Sequence, residues 1–402
     1  MAIYHHCRWI IGFITFFLVA VSIFKLAHSY WRYSKLLSGK PEPESFLSEW
    51  EKQHWYHVEA GEVEGSSKDV TITKEYVMSK FVQLSADEET KNFIVQSAYK
   101  SGHIWTQMWQ DFAYHALKRF LGYTLTDIFG YLRRQSSFVL STQQFILLRE
   151  KAGLPSNLDE PEGFLIDLGA GNGDPTQYLQ PLYNDTFATE ASWAMRDILE
   201  EKSIKVLDMD LWDRDGNQPR YFDAISCLNL LDRCEKPKSI LRQIQKSLKP
   251  GGVLLIALVL PFEPFVECNY CSHKPVEDLM DTSKPYLAQE KWYPNYPFFE
   301  KEISSVIEVL EVEGFSVDAW TRVPYLMEGN MGTTYFEPED KYLYLHNQLY
   351  NLDDAILLCT LKQKTQKTMN APNEANSNST FIQKESAKKV HQRPEENRKS
   401  EL

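Results

Sequence analysis

Between Leu165 and Gly173 the chain reads L-I-D-L-G-A-G-N-G, an apolar run that meets an acid and then three alternate glycines. Gly169, Gly171 and Gly173 let backbone N–H groups come close to a ligand where a helix begins, here expected over Thr176–Leu182. This is not the G-x-G-x-x-G of a dinucleotide site, because the third glycine comes one residue early. An acid at the head of the loop, Asp167, discourages a pyrophosphate and suits a positively charged ligand. S-Adenosyl-L-methionine carries both an ammonium and a sulfonium.

Seventeen residues after Gly173, a second short strand (FATE) ends in Glu190, where a doubly wound fold holds ribose hydroxyls. A third strand ends at Val206-Leu207-Asp208-Met209-Asp210, and Asp210 falls in the usual neighbourhood of an adenine. Lys249-Pro250-Gly251-Gly252 makes a turn into another buried strand. In this order the four features read as a class I methyltransferase. A plain Gly-rich turn with Asp167 as a helix cap, or an NAD enzyme, are the competing readings. A fourth strand, FDAISCLNLLDRC from Phe222, brings Asn229 and Asp232 to the end of the sheet that faces the methyl donor. Neither is a strong nucleophile, which suits direct transfer onto a bound atom, although both could be simple strand-end caps.

The elements that must position these groups alternate between strand and helix from Glu162 to Lys362: FLIDL, FATE, IKVLDM, FDAISCLNLL, GGVLLIALVL, FSVDAWTRV and AILLCTLK. That texture predicts an α/β fold, a doubly wound parallel sheet, over residues 155–363. Residues 41–154 read as a helical N-terminal cap, with a helical stretch over Lys91–Leu121 and a capping box at Ser141 and Gln144 opening a short helix to Glu150. Residues 1–40 hold the uncharged apolar run Trp9–Phe24, 16 residues long, with Arg8 before it and Lys25, Arg32, Lys35 and Lys40 after it. The run is long for a signal-peptide core and short for a span, so a membrane anchor and a signal segment both remain open. The Lys/Arg bias alone puts the body in the cytoplasm. Residues 364–402 are too polar to bury a core and read as a disordered tail.

Longer motifs carry a more specific likeness. ISCLNLLDRCEKP, ALVLPFEPFVE and RVPYLMEGNM, with His54-Trp55-Tyr56, Phe81–Gln83, Lys100–Gly102 and Ser136–Ser141 upstream, resemble the DREV family, the methyltransferase-like protein nine group. The likeness runs from about Trp55 to Lys362. It implies a seven-stranded, Rossmann-like class I methyltransferase that moves a methyl group from S-adenosyl-L-methionine to Nδ1 of histidine in His-x-His motifs of proteins. By matching positions it implies that Asn229 and Asp232 hold the acceptor imidazole and that Tyr325 and Tyr350 line the peptide channel. Tyr is common in this chain, so both tyrosines could equally be packing residues. A carboxylate accepting Nε2–H would leave the Nδ1 lone pair free, a role assigned to Asp232. It also implies residence in the endoplasmic reticulum or other endomembranes, with the mitochondrion as a second location.

Two stretches depart from the family pattern. Residues 330–350 look longer, with Glu337-Pro338-Glu339-Asp340, which loosens the match at Tyr350. Cys268-x-x-Cys271 with His273 offers too few ligands for a structural zinc site, and no metal is expected. The net charge of −12 is an average: residues 1–40 carry +5, residues 364–402 carry +3, and the body between carries −20. An acidic body repels nucleic acid and suits a histidine-rich, partly cationic peptide. A lipid or small-molecule methyltransferase, or a non-catalytic S-adenosylmethionine-binding protein, are the alternatives.

Overall fold

The computed structural model describes residues 73–362 except most of 102–122 and all of 134–135, 156–157, 159, 162, 261, 268–271, 281–297, 325 and 328–352. The anchor run, the first part of the cap and the expected tail lie outside the described residues. Among the described residues, no helix is long and apolar enough to cross a membrane.

Seven strands form one sheet: β1 (Phe164–Leu168), β2 (Asp185–Thr189), β3 (Lys205–Leu207), β4 (Phe222–Leu228), β5 (Leu248–Leu260), β6 (Phe315–Pro324) and β7 (Asp353–Leu361). Their order across the sheet is β6-β7-β5-β4-β1-β2-β3. Strands β1 to β5 pair in parallel, but β7 runs antiparallel to both β5 and β6. The sheet is therefore mixed, which corrects the all-parallel expectation. A strand buried on both faces reads as one apolar run in either direction, so AILLCTL carries no sign of its orientation. Lys249–Gly252 bulges out of β5, since Phe222 pairs with Leu248 while Ala224 pairs with Val253. The expected turn survives as that irregularity.

Alternation along β5 divides the core between two faces. Leu254, Ile256 and Leu258 join Ile225, Trp320 and Leu357 on one face. There they meet helices α7 (Pro237–Ser247) and α8 (Phe298–Val312) through Leu241, Ile244, Ile303 and Ile307. Val253, Leu255 and Ala257 join Leu165, Ile356 and Leu358 on the other face, against Phe145 and Leu148 of α4 (Thr142–Lys151). Both faces are covered, so the strand needs no polar side.

The remaining helices are α1 (Lys74–Ser79), α2 (Glu88–Ser101), α3 (Leu125–Tyr131), α5 (Asp174–Gln177) and α6 (Trp193–Glu201). The stretch after α1 covers the exposed edge of β6. Phe81 bridges Trp320 in parallel, the Val82 N–H donates to the Trp320 carbonyl at 2.8 Å, and the Trp320 N–H donates to the Lys80 carbonyl at 2.9 Å. Indole Nε1 of Trp320 donates to the Val77 carbonyl at 2.7 Å, so a fully buried ring has its polar atom paired. An unpaired sheet edge is a template for aggregation, and this contact covers the edge at Trp320.

Ser141 opens α4 as expected, in a reciprocal capping box with Gln144: 2.9 Å from Gln144 N to Ser141 Oγ and 3.0 Å from Ser141 N to Gln144 Oε1. The same serine hydroxyl donates to Asp87, which also caps α2 through Thr90 N at 3.0 Å. One cluster thus serves two helix starts. Ser141→Ala is expected to lower unfolding free energy by about 1–2 kcal/mol in denaturant titration, and an unchanged midpoint would show that the cluster contributes nothing.

Candidate active site

Past Leu168 the backbone turns left-handed three times, at Gly169, Gly171 and Gly173 with φ of 69°, 58° and 74°. Gly173 then caps α5, which is shorter than the expected Thr176–Leu182 helix and is followed by a 3₁₀ turn at Gln180–Leu182. A Cβ on Gly173 would stand 2.6 Å from Leu199 Cδ2, so packing forbids one there. A Cβ on Gly171 would meet nothing within 4 Å. Gly171 is the point at which another molecule can approach the backbone.

Two buried carboxylates hold this turn. Glu190, at the tip of β2, accepts the Gly171 N–H and the Ser192 N–H, each at 2.8 Å. Its neighbour Thr189 accepts the Gly169 N–H on Oγ1 at 3.2 Å and the Ala170 N–H on its carbonyl at 3.0 Å. Asp167, 1 % exposed, accepts the Thr176 hydroxyl at 2.5 Å and the Ser226 hydroxyl at 2.7 Å, joining α5 to β4 beneath the turn. Burial pushes the Asp167 carboxyl up to about 6, against the pull of its two hydroxyl donors. Burial also raises Glu190, opposed by the backbone N–H groups it accepts. Both acids accept hydrogen bonds from the protein itself, Glu190 from the turn and the segment after β2, Asp167 from α5 and β4. Ser192 Oγ donates to Asp127 Oδ1 of α3 at 2.7 Å, linking the helical cap to the same turn. Sequence reasoning missed Thr176, Ser226, Ser192 and Asp127, and Thr189 entered only as the T of FATE.

At the tip of β3, Asp210 is exposed, and its N–H is held by Asp208 Oδ1 at 2.8 Å. Met209 and Leu211 beside it are each 52 % exposed, an apolar pair suited to a flat ring.

The other half of the site lies at the end of β4. The strand stops at Leu228, earlier than the expected Leu231, because Asn229 enters the left-handed region at φ 58°. Asn tolerates that conformation better than most residues. Its N–H donates to the Ala257 carbonyl at 3.0 Å, and Nδ2 donates to Asp354 Oδ2 of β7 at 3.3 Å. Asn229 Oδ1 is buried with no hydrogen-bond partner among the described residues, and so is Asp232 Oδ1. Asp232 is 5 % exposed, and its other oxygen lies 3.6 Å from Arg233 Nε. The Arg233 guanidinium sits 5.0 Å above the Phe265 ring, whose backbone N–H donates to the Asp232 carbonyl at 2.9 Å. Burial raises the Asp232 carboxyl, with Arg233 opposing.

The two halves touch. Leu230 packs so closely on the turn that a Cβ on Gly169 would come within 2.7 Å of its Cδ1. Tyr325, Tyr350 and Cys268–Cys271 lie outside the described residues. Among the described residues, no cluster of three or more His, Cys, Asp or Glu could hold a metal. Asp354, fully buried, was missed from sequence, where it is only half of an acidic pair heading an apolar strand.

The strand order, with a glycine turn after β1 and hydrogen-bonding groups after β4, defines a class I methyltransferase fold. The chain belongs to the DREV methyltransferase family, which matches residues 69–360. The methyl donor of this class is S-adenosyl-L-methionine, and the residues present fit it: open space over Gly171, acids at the tips of β1 and β2, and an apolar pair at β3. Solved structures share parts of the fold. They include S-adenosylmethionine-bound CalS10, an amino pentose methyltransferase from Micromonospora echinaspora (22 % identity, 23 % of this chain and 41 % of that chain, TM-score 0.20). Coclaurine N-methyltransferase bound to N-methylheliamine and SAH (19 %, 28 % and 33 %, 0.23) is similar over a comparable stretch. The DhpI–SAH complex (16 %, 64 % and 97 %, 0.33) is covered nearly throughout. The chain spans under half the length of the first two, and likenesses this weak say nothing of its substrate.

Two outcomes follow from the turn. Gly171→Ala is expected to cost about 1–2 kcal/mol of stability from backbone strain yet weaken S-adenosylmethionine binding about tenfold or more by calorimetry, whereas Gly173→Ala, which also collides with Leu199, loses about 2–5 kcal/mol. Asp167 has a folded pKa above its unfolded value, so its charge weakens the fold as pH rises from about 4 to about 6. Measured against Asp167→Asn, wild-type stability should therefore fall by about 3 kcal/mol across that window, and parallel pH curves would refute the buried charge.

Proposed function

We propose that the protein methylates Nδ1 of histidine in His-x-His motifs of other proteins. One observation carries this reading: two buried oxygens, Asn229 Oδ1 and Asp232 Oδ1, three positions apart in the segment that follows β4, have no partner among the described residues. Buried acceptors without donors are costly, so such a pair calls for N–H groups from a substrate. An imidazole supplies one. With Nε2–H donated to Asp232, the tautomer is fixed and the lone pair on Nδ1 is left free to attack. Asp232 then stabilises the imidazolium that forms and accepts its Nε2 proton, leaving the neutral methylated ring, while Arg233 keeps the carboxylate in place. S-Adenosyl-L-methionine, when bound, would supply a methyl group on a sulfonium whose leaving group is a neutral thioether.

The wider chain supports the same reading. The motifs around Asn229, Leu260 and Tyr325 resemble those of protein-histidine methyltransferases, and the body charge of −20 favours a basic, histidine-rich peptide. The run Trp9–Phe24 with its basic flank supports attachment to an endomembrane as part of this proposal.

The test is incubation of the full chain with S-adenosylmethionine and a His-Ala-His peptide, with the modified nitrogen assigned by NMR. One methyl group on Nδ1 is expected, and the rate should fall below about pH 6.5 as the substrate imidazole gains a proton. Asp232→Asn should lower kcat about 10²-fold or more and leave cofactor affinity nearly unchanged. Cofactor binding without histidine methylation would overturn the reading in favour of a lipid or small-molecule acceptor, or of a binding protein with no transfer activity.

A further inference from the structure

We propose that Asp354 is a positioning residue for transfer: it selects which face of the Asn229 amide is presented to the substrate. This rests on reading the end of β4 as the acceptor site. An amide side chain can offer either its N–H₂ or its carbonyl oxygen, and rotating it by half a turn exchanges the two. The backbone of Asn229 cannot make that choice, since its N–H is fixed to the Ala257 carbonyl at 3.0 Å and φ is held at 58°. Asp354 can. Its Oδ2 accepts from Nδ2 at 3.3 Å, and a carboxylate, when ionised, can only accept. Oδ1 is left turned away, buried, with no partner among the described residues.

Asp354 is well placed to impose this. Its residue is fully buried, and its backbone is paired on both sides, with Val259 of β5 and Val323 of β6. The antiparallel course of β7 is what brings the start of that strand beside the end of β4. Run in parallel, β7 would put Asp354 at the opposite edge of the sheet. The inserted strand thus delivers an acid to the acceptor corner, and that acid makes Asn229 an acceptor for a peptide N–H.

The variants are Asp354→Asn and the exchanged pair Asn229→Asp/Asp354→Asn. An amide at 354 both donates and accepts, so it no longer selects a face. Asp354→Asn is expected to lower kcat on the His-Ala-His peptide about tenfold or more, with cofactor affinity within about twofold of wild type. The exchanged pair restores a donor at 354 and an acceptor at 229, and it should recover most of the loss. Unchanged turnover in Asp354→Asn, a cofactor loss that matches the turnover loss, or no recovery in the exchanged pair each overturns the proposal. A direct readout does not depend on histidine being the substrate. The Asn229 side-chain N–H₂ signals, assigned by their disappearance in Asn229→Ala, should exchange slowly with solvent in the wild type and quickly in Asp354→Asn. Rapid exchange in the wild type overturns the positioning role. Slow exchange in a wild type that leaves histidine unmethylated upholds that role and overturns only the choice of substrate.

Discussion

Glu190 holds the Gly171 N–H and the Ser192 N–H on its two oxygens, and most of the site's geometry is referred to that pair of bonds. Burying a carboxylate is costly unless donors surround it. Here the donors are backbone N–H groups of the turn and of the segment leading into α6, so satisfying the charge and shaping the loop are one event. Asp167 repeats the arrangement below with the hydroxyls of Thr176 and Ser226, drawing the start of α5 and the middle of β4 together. With both acids in place the three left-handed glycines have a single path, and Leu230 can seat against Gly169. Removing either acid would loosen the donor half and then, through Leu230, the acceptor half.

The two halves are built on different physics. In the donor half, charges are matched by internal donors and the backbone is left open at one glycine. At the end of β4, Asn229 Oδ1 and Asp232 Oδ1 are buried acceptors with no partner among the described residues. Among the described cysteines, Cys234 beyond β4 is partly exposed, and burial pushes its thiol up to about 12. Cys227 and Cys359 are fully buried and burial pushes both thiols well up, so they stay protonated and take no part in a covalent relay. Chemistry of this kind depends on placement rather than on an activated side chain.

Features encoded by neighbours in the chain were legible from sequence. The glycine spacing, the capping box at Ser141 and Gln144, and all seven strand runs are local patterns, and each stands close to where the residues put it. Asn229 and Asp232 could be marked because the end of β4 has a fixed place in a doubly wound sheet. What the sequence hid is pairing between distant segments. Asn229 and Asp354 are 125 positions apart, and nothing in an apolar run tells that β7 enters antiparallel. The hydrogen bonds of Asp167 go to Thr176 and Ser226, and those of Glu190 to Gly171 and Ser192, all within the protein. Spacing locates a carboxylate on a strand tip but not the donors that will surround it.

The cover on β6 has a consequence for how the molecule comes into being. Val77 and Trp320 are 243 positions apart, yet the edge is closed only when they meet. A ribosome adds roughly 5–20 residues each second, so the segment around Val77 waits on the order of 10–50 s for its partner strand to emerge. During that interval Phe81 and Val82 have no strand of the sheet to pair with. The last strands made therefore complete both ends of the architecture: β7 brings Asp354 to the acceptor corner, and β6 finally receives a segment synthesised near the beginning.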